Sequence, residues 1–315
     1  MAIVDDKSQH CIPFLLERLR THTARYRDGN APPFFLGLNG VQGAGKTVLV
    51  STLQQTLRSE PYSLSVVTLS LDDLYLTHAD QVALAEAHPN NPLLQHRGQP
   101  STHDLILGEK VFASLAAEQP TAIPQYDKSA FSGQGDRVPE SQWEVVNKDG
   151  QEKVKVVIFE GWCVGFRPWD NESLRAKWEA AVRQKETGNY QGRLGHVKLE
   201  DVQAVNDALR QYDALTDKLD ALIHIDAENS RFVYEWRQEQ ERSLRASKGT
   251  GMTEDQVNHF VDGYYPSYEL FTETLREGVF KPANHSSTTS SSDWQGRQLR
   301  LVVDRNRRVQ EVIQI

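Results

Sequence analysis

Sulfur is scarce in this chain of 315 residues, which holds two cysteines, Cys11 and Cys163, and two methionines. Two distant cysteines without ligand spacing exclude a disulfide framework and a cysteine zinc site, and leave both thiols to packing. Long apolar runs are missing too: no stretch approaches the ~20 residues that a membrane-crossing helix requires. The opening residues, Met1-Ala2-Ile3-Val4-Asp5-Asp6-Lys7, lack the cationic start and apolar block of a secretion signal. They also lack the Arg-rich, acid-poor character of a transit peptide, so the expected location is cytoplasmic. Positive charge is in deficit. Thirty-five Lys and Arg against 43 Asp and Glu leave a net charge of −8, which argues against nucleic acid as a partner but permits a local basic pocket for a small anion.

What the chain does contain is Gly40-Val41-Gln42-Gly43-Ala44-Gly45-Lys46-Thr47, a complete G-x-x-x-x-G-K-[ST] pattern. It lies between the apolar run Phe34-Phe35-Leu36-Gly37-Leu38-Asn39 and a helix-patterned segment starting Val48-Leu49-Val50, the context that makes such a pattern a phosphate-binding loop. Glycines let successive N–H groups approach the β- and γ-phosphates of ATP, and the following helix turns its positive end toward the same anion. Lys46 is expected to hold phosphate oxygens, and the Thr47 hydroxyl to ligate Mg2+.

Five β-branched or aromatic runs, at 34–39, 64–71, 154–160, 221–226 and 299–303, alternate with helical patterns. This alternation predicts a three-layer α/β/α fold of the P-loop NTPase type, built on a five-stranded parallel sheet. Asp72, Glu160 and Asp226 fall at or just past strand ends, where ligands of open α/β sheets collect, so all three acids are expected on the phosphate loop's side. Between the third and fourth strands, a hydrophilic loop at 186–196 precedes Leu199, Val202, Val205, Leu209 and Leu215 at helical spacing. The region 167–219 therefore reads as a helical insertion within one domain spanning 1–315. The Ser/Thr run 286–292 reads as a polar connection before the last strand. Thr216-Asp217-Lys218-Leu219-Asp220 has the look of a guanine-specificity motif, but it precedes a strand and belongs to the wrong end of the sheet.

Phosphoryl transfer to an alcohol needs a carboxylate that orients the hydroxyl and accepts its proton. Asp72 is expected to be that base, with Asp73 capping the turn that follows. Glu160, ending the third run just before Gly161, suits Mg2+. Residues 228–262 are expected to form a helical lid whose Arg237 and Arg242 meet the transferred phosphoryl group. The competing reading is an exposed helix laced by Glu235, Glu239, Glu241, Arg242 and Arg245 at i,i+3 and i,i+4. Arg97, Lys128 and Arg137 concentrate positive charge between the second and third strands, with Arg97 the leading candidate for a substrate carboxylate. His103, Asp104 and Tyr126 supply donors and acceptors for substrate hydroxyls.

The phosphate loop, Ser70-Leu71-Asp72-Asp73-Leu74-Tyr75-Leu76-Thr77, Gln95-His96-Arg97-Gly98-Gln99-Pro100-Ser101-Thr102-His103-Asp104, Pro124-Gln125-Tyr126-Asp127-Lys128-Ser129-Ala130, Gly135-Asp136-Arg137 and Phe159-Glu160-Gly161-Trp162 together resemble the ordered motifs of D-glycerate 3-kinases of the plant and fungal type. Those enzymes are grouped with phosphoribulokinase, uridine kinase and pantothenate kinase. The resemblance runs over 34–280 and departs at Ser101, where Gly is expected. It implies strand order 2-3-1-4-5 and ATP-dependent phosphorylation of D-glycerate at its 3-hydroxyl, giving 3-phosphoglycerate. Read without it, the residues leave open a related kinase for a nucleoside, pantothenate or sugar phosphate, or a non-catalytic ATP-binding regulator. Oligomeric state is not legible.

Overall fold

Strand β1 (Phe34–Gly40) is buried along its whole length, as a parallel strand covered on both faces must be. In the computed structural model, which describes residues 5–26, 30–249, 251–282 and 293–315, β1 pairs in parallel with β7 (Val156–Gly161) and β8 (Ala221–Ala227). Strand β2 (Val66–Ser70) lies beyond β7 and β9 (Gln298–Val303) beyond β8, both parallel. The sheet order β2-β7-β1-β8-β9 is the expected 2-3-1-4-5. A sixth strand, β10 (Val309–Gln314), adds antiparallel to β9 at the edge. It was not anticipated because most of its side chains face solvent, which leaves no buried apolar run to read. The Ser/Thr run 286–292 lies outside the described residues.

Two short ribbons sit apart from the sheet: β3 (Thr121–Ile123) with β6 (Glu144–Val146), and β4 (Tyr126–Asp127) with β5 (Asp136–Arg137). The helices are α1 (Ser8–Thr23), α2 (Lys46–Arg58), α3 (His78–Ala87), α4 (Leu105–Ala116), α5 (Asn171–Glu186), α6 (Leu199–Leu209), α7 (Asp213–Thr216), α8 (Phe232–Lys248) and α9 (Glu254–Glu277). Among the described residues, no helix is long and apolar enough to cross a membrane. The insertion docks on α9, where the Glu269 carboxylate accepts from the Tyr190 hydroxyl at 2.5 Å and from the Arg193 and Leu194 N–H groups at 2.7 and 2.8 Å. Trp162 and Phe166, just past β7, pack edge-on or tilted against Tyr264, Tyr268 and Phe271 of α9.

The register aligns the functional edge. Ser70 stands opposite Glu160 and Leu38 opposite Glu160 from the other side, so the ends of β1, β2 and β7 are level where the phosphate loop begins. Asp220, by contrast, accepts the Phe35 N–H at 2.8 Å, at the start of β1 and away from that loop.

Asp226 lies at the expected edge, one residue past the Ile225 that stands opposite Gly40, and its buried carboxylate is held by Arg276 of α9 at 2.8 and 2.9 Å and by Arg300 of β9 at 2.6 Å. Burial pushes this carboxyl up, yet Arg276, His224 and Arg300 outweigh burial and hold it below the ordinary carboxylate range. The cluster bolts α9 to the sheet. Replacing Asp226 with Ala strands two guanidinium groups that are 40% and 21% exposed, and is expected to cost about 2–3 kcal/mol in urea unfolding, discounted from the cost of fully buried pairs for that exposure.

Candidate active site

The phosphate loop is moulded from three sides. Gly43 has φ +80 and Gly45, capping α2, has φ 99, conformations that turn loop N–H groups toward one point. A Cβ on Gly43 would stand 2.5 Å from Cβ of Trp236 on α8. Arg307, from the turn between β9 and β10, is buried, donates its Nε to the Gly43 carbonyl at 2.7 Å and lies over the Trp236 ring at 5.1 Å. Tyr268 of α9 accepts from the Gln42 N–H at 3.4 Å. Lys46 folds back to the Gly40 carbonyl at 2.8 Å. Burial depresses its ammonium, with Glu160 and Asp72 partly offsetting that. Thr47 is exposed at the first turn of α2.

The Glu160 carboxylate accepts from the Ser70 hydroxyl at 2.8 Å, a direct result of the register. One turn on, Asp72 and Asp73 diverge. The Asp72 carboxylate meets the Lys128 ammonium at 2.5 Å. Burial pushes Asp72 up, but Lys128, with Lys46, holds it below the usual carboxylate range. Asp73 turns away and accepts from the Tyr126 N–H at 3.1 Å. Burial there pushes its carboxyl up to about 6. The cap foreseen for Asp73 belongs to Ser70, which accepts from the Asp72 N–H at 3.3 Å.

Around these acids the six acceptor-side residues are brought together, with unequal freedom. His103 is 5% exposed, shares a 2.6 Å hydrogen bond through Nδ1 with the Tyr212 hydroxyl, and stacks on Tyr75 at 4.4 Å. Burial brings its pKa down to about 4, so the ring is neutral, and its Nε2 has no hydrogen-bond partner among the described residues. Tyr126 packs its ring against Tyr75. Asp104 caps α4 by accepting from Leu107 N at 2.9 Å and pairs with Arg137 at 3.1 Å, while Arg137 also donates to the Tyr75 carbonyl. These two brace each other instead of presenting free groups. Arg97, the leading carboxylate candidate, donates to the Gly133 carbonyl at 2.7 Å, to the Gln134 carbonyl, and to the Lys128 carbonyl at 3.5 Å. Its fork holds a loop in which Phe131, Ser132, Gly133 and Gly135 all have positive φ. In sequence, an arginine that binds carbonyls cannot be told from one that binds a carboxylate.

On α8, Arg237 pairs with Glu241 at 2.5 Å and lies over Phe260 at 5.0 Å, and Arg242 is exposed. Intrahelical pairing explains only that first contact. Glu235 pairs with Arg305 and Glu239 with Arg307, at 2.5 and 2.6 Å, and Trp236 donates to the Arg305 carbonyl at 2.7 Å. The helix is thus docked on the β9–β10 turn, beside the phosphate loop. Trp236, Arg307, Tyr75 and Tyr212 were invisible as site residues, because each acts through a contact distant in sequence.

The sheet order, the glycine-shaped loop with its half-buried lysine and the carboxylates level with it define a phosphate-loop kinase. No family model matches the chain. It is 41% identical over 249 residues to an uncharacterised kinase of Schizosaccharomyces pombe, covering 78% of this chain and 84% of that one. It is 31% identical over 264 residues to the chloroplastic D-glycerate 3-kinase of Arabidopsis thaliana, covering 82% of this chain and 52% of that longer protein. The solved structure of D-glycerate 3-kinase from Cryptococcus neoformans superposes with a TM-score of 0.86 at 34% identity, covering 99% of this chain and 100% of that one. The chain belongs to the D-glycerate 3-kinase family.

Asp73 provides a pH signature. Its carboxyl titrates near 6 folded and near 3.8 unfolded, so its contribution to stability is fullest below 3.8 and is lost as pH rises through 6. Asp73→Asn keeps an oxygen for the Tyr126 N–H and removes the charge. The variant is expected to match the native protein near pH 4 and to exceed it at pH 7.5 by on the order of 2 kcal/mol in denaturant titrations.

Proposed function

We propose that this chain transfers the γ-phosphoryl group of ATP to the 3-hydroxyl of D-glycerate. The observation that carries the reading is the placement of Asp72: its carboxylate meets Lys128 of a basic loop at 2.5 Å, and the charges of Lys128 and the phosphate-loop Lys46 both hold its carboxyl down. ATP sits with its β- and γ-phosphates against the N–H groups of Gly40 to Thr47, and Lys46 neutralises their oxygens. The acceptor lies on the other side of Asp72, its carboxylate toward Lys128 on the loop that Arg97 braces and its hydroxyls toward His103 and Tyr126, while the Asp104–Arg137 pair holds that wall in place. Asp72 takes the proton of the 3-hydroxyl as that oxygen bonds to the γ-phosphorus. The bond from phosphorus to the β–γ bridging oxygen breaks, and ADP leaves.

The residues present suit Mg2+. Thr47 offers a hydroxyl and Glu160 a carboxylate, hard oxygen donors of the kind Mg2+ takes alongside phosphate oxygens and water. Among the described residues, no group of three or more His, Cys, Asp or Glu forms a metal cage. Held by Thr47 and Glu160, Mg2+ would supply charge neutralisation on the nucleotide. Residues 228–262 act as the lid: α8, docked beside the phosphate loop, and the start of α9 exclude water, and the side chains of Arg237 and Arg242 turn to the transferred group.

ADP release measured against a panel of small hydroxy acids, nucleosides and pantothenate tests the reading, which expects D-glycerate to stimulate it most. Stimulation by another class alone, or by none, refutes it. Lys46→Ala is expected to abolish transfer while leaving apo thermal stability comparable to native. Asp72→Asn is expected to lower kcat by at least ~10²-fold with a modest change in ATP affinity, and Asp73→Asn by much less.

A further inference from the structure

We propose that the Lys128 ammonium occupies the oxygen of Asp72 that the acceptor hydroxyl needs, and that an anionic acceptor gains entry by drawing the ammonium onto its own carboxylate. Lys128 is thereby the specificity-determining residue that makes Asp72 available only to acids. The inference rests on the reading of Asp72 as the base.

The geometry has three parts. First, the contact is direct, at 2.5 Å between Nζ and Oδ2, and an ammonium there takes one lone pair of that oxygen, stands where a hydroxyl would approach it and lowers its basicity. Second, the contact yields easily. The Lys128 side chain is 57% exposed and that of Asp72 27%, so water screens the pair, and a second carboxylate nearby offers the ammonium an equal partner. A neutral alcohol offers none. Third, the backbone beneath Lys128 is fixed while its side chain is not. Arg97 holds the carbonyls of Gly133, Gln134 and Lys128 itself, leaving the four-carbon stem to move the charge.

The other cations nearby are committed elsewhere. Arg137 is tied to Asp104 and the Tyr75 carbonyl, Arg97 to the loop carbonyls, and Lys46 to the Gly40 carbonyl on the nucleotide side. Asp72 itself is faced by Lys46, Lys128, neutral His103, Asp73, the phenols of Tyr75, Tyr264 and Tyr268, and the Cys163 thiol. Lys128 is the member of that set with a charge, a mobile stem and an outlet to solvent.

The test is Lys128→Met, which keeps the stem and removes the charge, compared with the native chain using D-glycerate and glycerol as acceptors at saturating Mg·ATP. The expected result has opposite signs: kcat/KM for D-glycerate falls at least ~10-fold, the loss of one charged hydrogen bond, while kcat/KM for glycerol rises. A parallel fall for both acceptors, or an unchanged preference, overturns the proposal. A second measurement needs no acceptor: the Asp72 carboxyl carbon is titrated by NMR in both proteins. Its midpoint is expected to rise in Lys128→Met, and an unchanged midpoint overturns the proposal. If the native chain phosphorylates neither acceptor, the glycerate reading falls, and the titration still decides whether Lys128 holds Asp72.

Discussion

The site depends first on the shape of the backbone around Gly43. Residue 43 takes a positive φ that suits loop N–H groups to an anion, and no side chain fits there against Trp236. Arg307 closes the mould by gripping the Gly43 carbonyl while pairing with Glu239. Loop, lid helix and C-terminal turn are therefore one mechanical unit. A change at any of the three alters the phosphate cradle, although positions 43, 236 and 307 are remote in sequence. The Lys46 ammonium, depressed by burial, is stored in an environment that favours an incoming anion.

A second consequence concerns neighbouring carboxylates. Asp72 and Asp73 are chemically identical and adjacent, yet the short turn Leu71–Leu74 sends one toward Lys128 and the other toward the Tyr126 N–H. One is held ionised and the other is pushed up to about 6. Environment alone divides them, and it leaves the ionised one beside the phosphate loop, where a proton acceptor is useful.

The phosphate loop was legible because its chemistry is contiguous, eight residues that must all be right. Strands β1, β2, β7, β8 and β9 were legible for a related reason, since strands covered on both faces read as apolar runs. Strand β10 and helix α1 escaped, the first because its outward face is polar. Asp72 and Glu160 could be proposed from position at strand ends, and the same rule put Asp226 at that edge, but it does not say that Arg276 and Arg300 arrive to claim that acid. Arg97 shows the harder limit. Its residue type and neighbourhood suggested substrate, and only the fold reveals that it holds the loop carrying Lys128.

The central claim is transfer to one oxygen of one small acid, and the most direct measurement is phosphorus NMR of the product formed from ATP and D-glycerate. The account predicts a single phosphomonoester on the 3-oxygen, formed stoichiometrically with ADP. Phosphate on the 2-oxygen, or ADP accompanied only by inorganic phosphate, would contradict it.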